Sequence, residues 1–540
     1  MLDFLKFLPL FGILVILSSN DNEIKSKSDA KEHSVNYFVW VENGKVLAPI
    51  IVRTDVSPRT LFAAQELANY VEKITGEKPQ LIRGTPKPVP PKAVWIGLHN
   101  EFKQIFPNLT TNFDGEEIII ISNTNNLAIF GNDALELGYQ DVRFQNRLIS
   151  NAQKSYGTIN AIYTFLQEYL EVRWFWPGEL GEDFQSKKSI KVINHEIRYS
   201  PQMTWRSGII MTSRPESNKD NFEISLWTQR QRMFYCSDMI NPGHPFKDWW
   251  EKYSDSYPDI FALNERGNRQ PILDPKTVKL CLTNEKVIEL WLKEISELTQ
   301  ENPFINIFSA NENDSYNQGH CTCENCRKWD EISVYKKIKN LSDRHVAFIN
   351  KLSDALNNQY QRRKDLRVLF FAYGNNRSLP LRERLNKNVG VVSVANFHLR
   401  RKSIFDTMQP AVKEYLDWSK MSNHIYWRPN LGNPVGLSWG MPDIAFNQIF
   451  DDFKFVAENR CKGVFMDSYS NHWSTQGIQY YLASQLAWNP YLNKKTVLSD
   501  YFSRLYGDAK DEMREYWQLC ENTRSKLVDK YGSEKARYYI

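Results

Sequence analysis

Beyond Ser19 the chain has no apolar run long enough to cross a bilayer, which excludes a membrane span in the mature chain. No cysteine occurs before Cys236, so a bacterial lipoprotein anchor is excluded on this sequence. No G-x-G-x-x-G or Walker motif opens a helix, which argues against a nucleotide-binding Rossmann unit. Charge of one sign is also missing. The net charge of +5 is spread over the whole length without a basic stripe, so nucleic acid is not an expected partner. No internal repeat is visible.

What is present is a soluble, aromatic-rich chain. An apolar fraction of 42% with 24% charged residues is that of a globular protein, and 540 residues suggest two or three domains. Many of the 26 Tyr, 30 Phe and 16 Trp must be core, and a surplus of Trp also suits sugar clefts, where flat rings stack on pyranose faces. At the N-terminus, Lys6 precedes the apolar run Phe7–Leu17 and then Ser18-Ser19-Asn20, the proportions of a signal peptide over 1–19, with an uncleaved N-terminal anchor as the alternative. Residues 20–34 are polar and read as a flexible linker. The chain is therefore expected to be exported, to the periplasm, the cell surface or the medium.

Apolar periodicity organises the remainder. Leu61, Ala64, Leu67, Tyr70, Val71 and Ile74 share one helical face, and Gly76 supplies the stop. Strand-like runs at 93–97, 117–121 and 127–131, followed by a helix around Ala161–Leu170, predict an N-terminal α/β domain with a mixed sheet over 35–198. From Pro201 on, apolar runs alternate with helical patterns. Strands are expected at 204–211, 278–282, 304–310, 367–373, 389–396, 424–428 and 463–467, and helices at 285–299, 339–358, 409–420, 443–458 and 476–487. Repeated β-then-α units mean parallel strands. Seven visible strands with an eighth hidden predict a (β/α)8 TIM-like barrel over 199–495, and 496–540 reads as a C-terminal helical segment.

The chemistry is expected at the strand C-termini, the active-site face of such a barrel. Asn311-Glu312-Asn313-Asp314 follows the apolar run Phe304–Phe308. Two carboxylates two residues apart point the same way on extended chain, and paired carboxylates at that place suggest glycoside hydrolysis. The bland alternative is that Asn and Asp cap the next helix. Other strand ends add Arg206, Tyr373, Asn396, Trp427, Arg428, Asp467, Tyr469 and Trp473, and the loop before the second strand adds His244. Such a floor suits a sugar: rings stack, Asn and Arg bind hydroxyls, acids act on the glycosidic oxygen. Glu312 is the first choice for general acid, with a pKa raised by its carboxylate neighbour, and Asp314 for orienting a substrate 2-acetamido group, though the two roles are exchangeable. Asp467, from a distant strand, is the candidate opposing base or nucleophile.

Of the seven cysteines, Cys236, Cys281, Cys461 and Cys520 are scattered and read as small buried apolar residues. Cys321, Cys323 and Cys326 cluster beside His320. That run admits a zinc ion, although adjacent His and Cys are awkward ligands for one tetrahedral ion, and export also permits a disulfide or reduced packing. Each alternative fixes the loop just after Glu312 and Asp314.

Some longer motifs carry a family resemblance. Gly157–Leu166 (GTINAIYTFL) and Val172–Gly178 (VRWFWPG) resemble the N-terminal domain of α-glucuronidases and hexosaminidase-like enzymes. Tyr257–Leu263, Leu280–Asn284, Asn313-Asp314 and Cys321-x-Cys-x-x-Cys326 resemble a large bacterial domain-of-unknown-function family that overlaps glycoside hydrolase family 163. The resemblance covers most of 40–500. It implies a barrel behind an α/β domain, endo-β-N-acetylglucosaminidase action on the chitobiose core of N-glycans, and no cofactor or catalytic metal. It carries over to Glu312, Asn313, Asp314 and the strand end at Asp467, where relatives often have Glu. The expected partner is a glycan or glycoprotein. An exo-acting α-glucuronidase or hexosaminidase-like enzyme, with Arg206, Arg400 or Arg428 binding a carboxylate, and a non-catalytic glycan-binding barrel are the competing readings.

Overall fold

The computed structural model describes residues 36–133, 156–211, 218–233, 240–241, 243–301, 305–314, 318–330, 340–395, 410–429, 442–470 and 472–531. The first sheet is mixed, as its alternating runs imply. Its six strands stand in the order Glu196–Tyr199, Ile118–Ser122, Asn126–Gly131, Ala93–Ile96, Ile50–Val52, Leu81–Arg83, with the last four parallel and the first two joined antiparallel. The sheet is apolar on both faces. Ile50, Val52, Val94, Ile96, Leu127 and Ile129 face the main core, while Ile51, Trp95, Ala128 and Phe130 face a second cluster built on Phe102 and Phe106. The helix Pro58–Thr75 starts where Ser57 Oγ accepts the Thr60 N–H at 3.1 Å. It stops at Gly76, whose φ of 91° suits the residue without a Cβ.

The second sheet has seven strands among the described residues, all parallel. Their order is Trp205–Met211, Cys461–Ser470, His424–Trp427, Val389–Ser393, Arg367–Ala372, Ile307–Ser309, Ile240–Asn241. Each strand lies beside its sequence neighbour, except that the first lies beside the last. That order curls the sheet as in a β/α barrel. Trp205, Ile307, Leu369, Phe371, Val392, Tyr426 and Phe465 fill its concave side. The alternate positions Val368, Phe370, Val391, Ile425, Trp427 and Val464 face the helices outside. Those helices run Glu285–Glu301, Ser342–Gln359, Pro410–Met421, Gln448–Glu458 and Trp473–Trp488, and Lys494–Tyr506 and Lys510–Tyr531 follow.

One strand differs from the sequence reading. Residues 278–282 do not join the barrel sheet; Leu280 makes only an isolated antiparallel bridge with Phe261. The second strand is Ile240–Asn241, two residues long and paired with Ile307–Phe308. A strand that short has no apolar periodicity, whereas buried Val278, Leu280 and Leu282 imitate one.

Buried charges join the two sheets' surroundings. Arg206, fully buried, donates to Glu116 Oε2 at 2.7 Å, to Met203 O at 2.6 Å and to Arg232 O at 2.9 Å. Arg230 donates to Glu66 Oε1 at 2.6 Å and pairs with Glu182 at 2.9 Å, and Tyr163 donates its hydroxyl to Glu66 at 2.5 Å. Arg173 reaches Asp500 at 2.7 Å. Paired guanidinium and carboxylate groups of this kind fix geometry more than they add stability.

Candidate active site

The strand Ile307–Ser309 delivers Ala310–Asp314 to the C-terminal edge of the curled sheet. Asn311 sets the local frame. Its side-chain amide donates to Gly243 O at 3.0 Å, and its carbonyl accepts the Phe371 N–H at 2.5 Å. Ser309 Oγ also donates to Gly243 O, at 2.7 Å. These bonds hold the segment bearing His244 against the strand end. The buried Asn313 donates to Phe246 O and Val278 O, at 3.0 and 2.9 Å, so it braces two loops rather than facing a ligand.

The strand's regular alternation ends at Ser309, and the two carboxylates enter different surroundings. Glu312 is nearly enclosed. One carboxylate oxygen lies 3.2 Å from His345 Nε2, 3.3 Å from Lys279 Nζ and 3.5 Å from His320 Nδ1. Burial alone would raise its pKa, but His345 and Lys279 outweigh burial and hold it well below the usual carboxylate range. Burial pushes His320 down to about 3, so at neutral pH it is an uncharged imidazole beside Glu312. Lys279 also donates to Asn313 O at 2.5 Å.

Asp314 is open, its side chain 66% exposed, and sits 3.3 Å from His244 Nε2. The other His244 nitrogen lies 2.5 Å from the Glu312 backbone carbonyl. The hydrogen bond and charge of His244, with a contribution from Arg428, lower the Asp314 pKa despite partial burial. The expectation of one carboxyl raising its neighbour's pKa is thus corrected. Both acids are held ionised, Glu312 by His345 and Lys279 and Asp314 by His244.

The remaining candidates separate. Arg428 lies partly buried at the end of His424–Trp427, its guanidinium carbon 4.7 Å from the Phe371 ring centre and 5.4 Å from that of Phe465. Tyr373 is half exposed just past Arg367–Ala372. Arg206 is not brought to this site: it is sealed against Glu116. Trp427 is fully buried on the helix side, with Nε1 donating to Ala395 O at 2.7 Å and its ring edge-on to Phe453, because alternation turns Tyr426 inward instead. Trp473 opens the helix Trp473–Trp488 and packs on Trp227 and Tyr480. Asp467 and Tyr469 lie on the strand Cys461–Ser470, with side chains outside the described set, and Asn396 and Arg400 lie outside the described residues.

Sequence reasoning missed Lys279 and His345. His345 is a buried polar residue in the helix Ser342–Gln359, beside Asp343 and Arg344, which are buried too. Four consecutive polar residues, Ser342–His345, opening an otherwise apolar-faced helix were the available signal. Lys279 carries none, since it sits within the run that imitates a strand.

The comparisons extend this picture. A family described as Domain of unknown function (DUF4838) matches residues 176–518. No curated protein matches the chain. Among solved structures, the chain is similar to a family GH115 4-O-methyl-α-glucuronidase with specificity for decorated arabinogalactans, at 10% identity and a TM-score of 0.57, over 91% of this chain and 63% of that one. It spans less than two thirds of that enzyme. It also resembles the Streptomyces plicatus N-acetyl-β-hexosaminidase, at 11% identity and a TM-score of 0.45, over 91% and 93%. The GH20 β-N-acetylhexosaminidase of Streptomyces coelicolor A3(2) follows at 12% and 0.45, over 90% and 94%. The first likeness shows a fold shared with a glycoside hydrolase.

Proposed function

This chain belongs to the DUF4838 family, and on that premise we propose that it is an exported glycoside hydrolase acting on N-acetylglucosamine linkages, most specifically an endo-β-N-acetylglucosaminidase of N-glycans. In this reading 35–198 is the accessory α/β domain, 199–495 the catalytic barrel and 496–540 the helical segment packed beyond it. The observation that carries the proposal is Asp314: an ionised, exposed carboxylate at a barrel strand end, braced by His244. An ionised carboxylate accepting the N–H of a substrate 2-acetamido group increases the negative character of its carbonyl oxygen. That oxygen then attacks the anomeric carbon as the glycosidic bond breaks, and Asp314 stabilises the resulting oxazolinium.

Glu312 has a different task. Its carboxylate already stands against Lys279 and His345, so it serves as a positioning residue whose backbone carbonyl fixes the His244 ring. The leaving oxygen takes its proton from a second acid, a role that neither caged Glu312 nor ionised Asp314 fills. Arg428 favours a second reading: a cation beside Asp314 suits a uronate carboxylate, the group carried by substrates of an exo-acting glucuronidase. The test is incubation with a complex biantennary N-glycoprotein and mass spectrometry of the released glycans. Glycans with one reducing-end N-acetylglucosamine support the endo reading. Turnover of small uronides alone supports the second, and glycan affinity without turnover of either supports a binding barrel.

A further inference from the structure

The three clustered cysteines acquire a fourth in the fold. Cys281 follows the Phe261–Leu280 bridge and meets the Cys321–Cys326 loop, so that the four sulfurs of Cys281, Cys321, Cys323 and Cys326 all lie within 4.8 Å of one another. This corrects the reading of Cys281 as a scattered apolar residue. Its Sγ is 3.8 Å from those of both Cys323 and Cys326. Four thiolates bound at about 2.3 Å to a tetrahedral ion stand about 3.8 Å apart, whereas bonded sulfurs stand at about 2.05 Å. Cys281, Cys321 and Cys326 are buried.

We propose that these four cysteines form a closed structural metal centre for one zinc ion. Soft thiolate ligands in a four-sulfur set select zinc over the harder divalent cations. The surroundings supply the outer hydrogen bonds such ligands use: the Leu263 N–H donates to Cys321 Sγ at 3.4 Å, and Thr283 Oγ1 lies 3.3 Å from Cys326 Sγ. The other cluster of metal-binding residue types among the described residues, Glu312 with His320 and His345, is different in kind, because the Lys279 ammonium already stands against the same carboxylate oxygen. Zinc on the four sulfurs ties the 321–326 loop to the segment at 281. Cys321 is anchored further by Arg344, which donates to its carbonyl at 2.8 Å and pairs with Asp330. His320 directly precedes Cys321, so the centre also sets where its ring meets Glu312. The difficulty of adjacent His and Cys ligands disappears, since Cys281 and not His320 completes the set.

The experiment is elemental analysis of the full chain purified without chelator, with intact mass under denaturing, non-reducing conditions. The expected result is about one zinc per chain, with all four thiols reduced and released to a thiol reagent together with the metal. C281S and C326S should lower the zinc to about a tenth or less, while C520S, away from the cluster, should keep it. If C281S and C326S fail to fold, the wild-type stoichiometry and the coupled release of metal and thiols still decide. A folded, metal-free chain overturns the proposal, whether its mass is about 4 Da low, as two disulfides require, or its four thiols react without metal release.

Discussion

The buried charges between the two sheets and the charges at the barrel's C-terminal edge use the same residue types differently. Between the sheets, Arg206 meets Glu116 and Arg230 meets Glu66 and Glu182, with every partner nearly or fully enclosed. At the strand edge, Glu312 is enclosed in a similar cage, but Asp314 two residues later is left open, braced on one side by the His244 imidazole. A fully enclosed pair has no face left for a ligand. A carboxylate with one side braced and the other exposed does. Burial and the number of partners therefore separate scaffold charges from candidate reactive ones, and the type of residue does not.

The comparison is broken most strongly at the interface. Glu116→Gln leaves Arg206 buried without its carboxylate, and unfolding in urea should show a loss of about 3–5 kcal/mol. At the strand edge, Asp314→Asn should leave the unfolding free energy within about 0.5 kcal/mol of wild type. Its kcat on an N-glycoprotein should fall about 100-fold or more. Wild-type turnover in that variant would remove Asp314 from the reaction.

Glu312→Gln tests the cage from the other side. The folded pKa of Glu312 is depressed, so its contribution to stability is fully present above the unfolded carboxylate pKa of about 4.3 and is lost as pH falls through the lower folded value. Denaturation between neutral and strongly acidic pH should show a smaller acid-side decline in Glu312→Gln than in wild type. An unchanged decline would mean that Lys279 and His345 do not hold the charge. The smallest effect is expected at Tyr373, which is half exposed. Tyr373→Ala should raise KM by about 5-fold through a lost stacking face while leaving kcat near wild type.

Much of this architecture was legible in the chain. Gly76 marks the helix end because its φ of 91° is costly for other residues, and the barrel helices recur where apolar periodicity puts them. The motif at 311–314 was legible as a strand end rich in acids. The states of those acids were not. Alternation predicts one direction for Glu312 and Asp314 only while the strand lasts, and it ends at Ser309. What charges each carboxylate depends on His345 and Lys279 for one and His244 for the other, brought from separate segments.

The sequence alone determined the periodic elements, their parallel arrangement and the place of the acidic motif, because these depend on side-chain spacing along a local backbone. Only the tertiary structure decided which acid is caged and which is open, that Arg206 and Trp427 belong to packing, and that Cys281 joins three cysteines some forty residues away in the chain. Electrostatics and ligand geometry act through space over a few ångströms, and no local pattern encodes which distant residues will occupy that space.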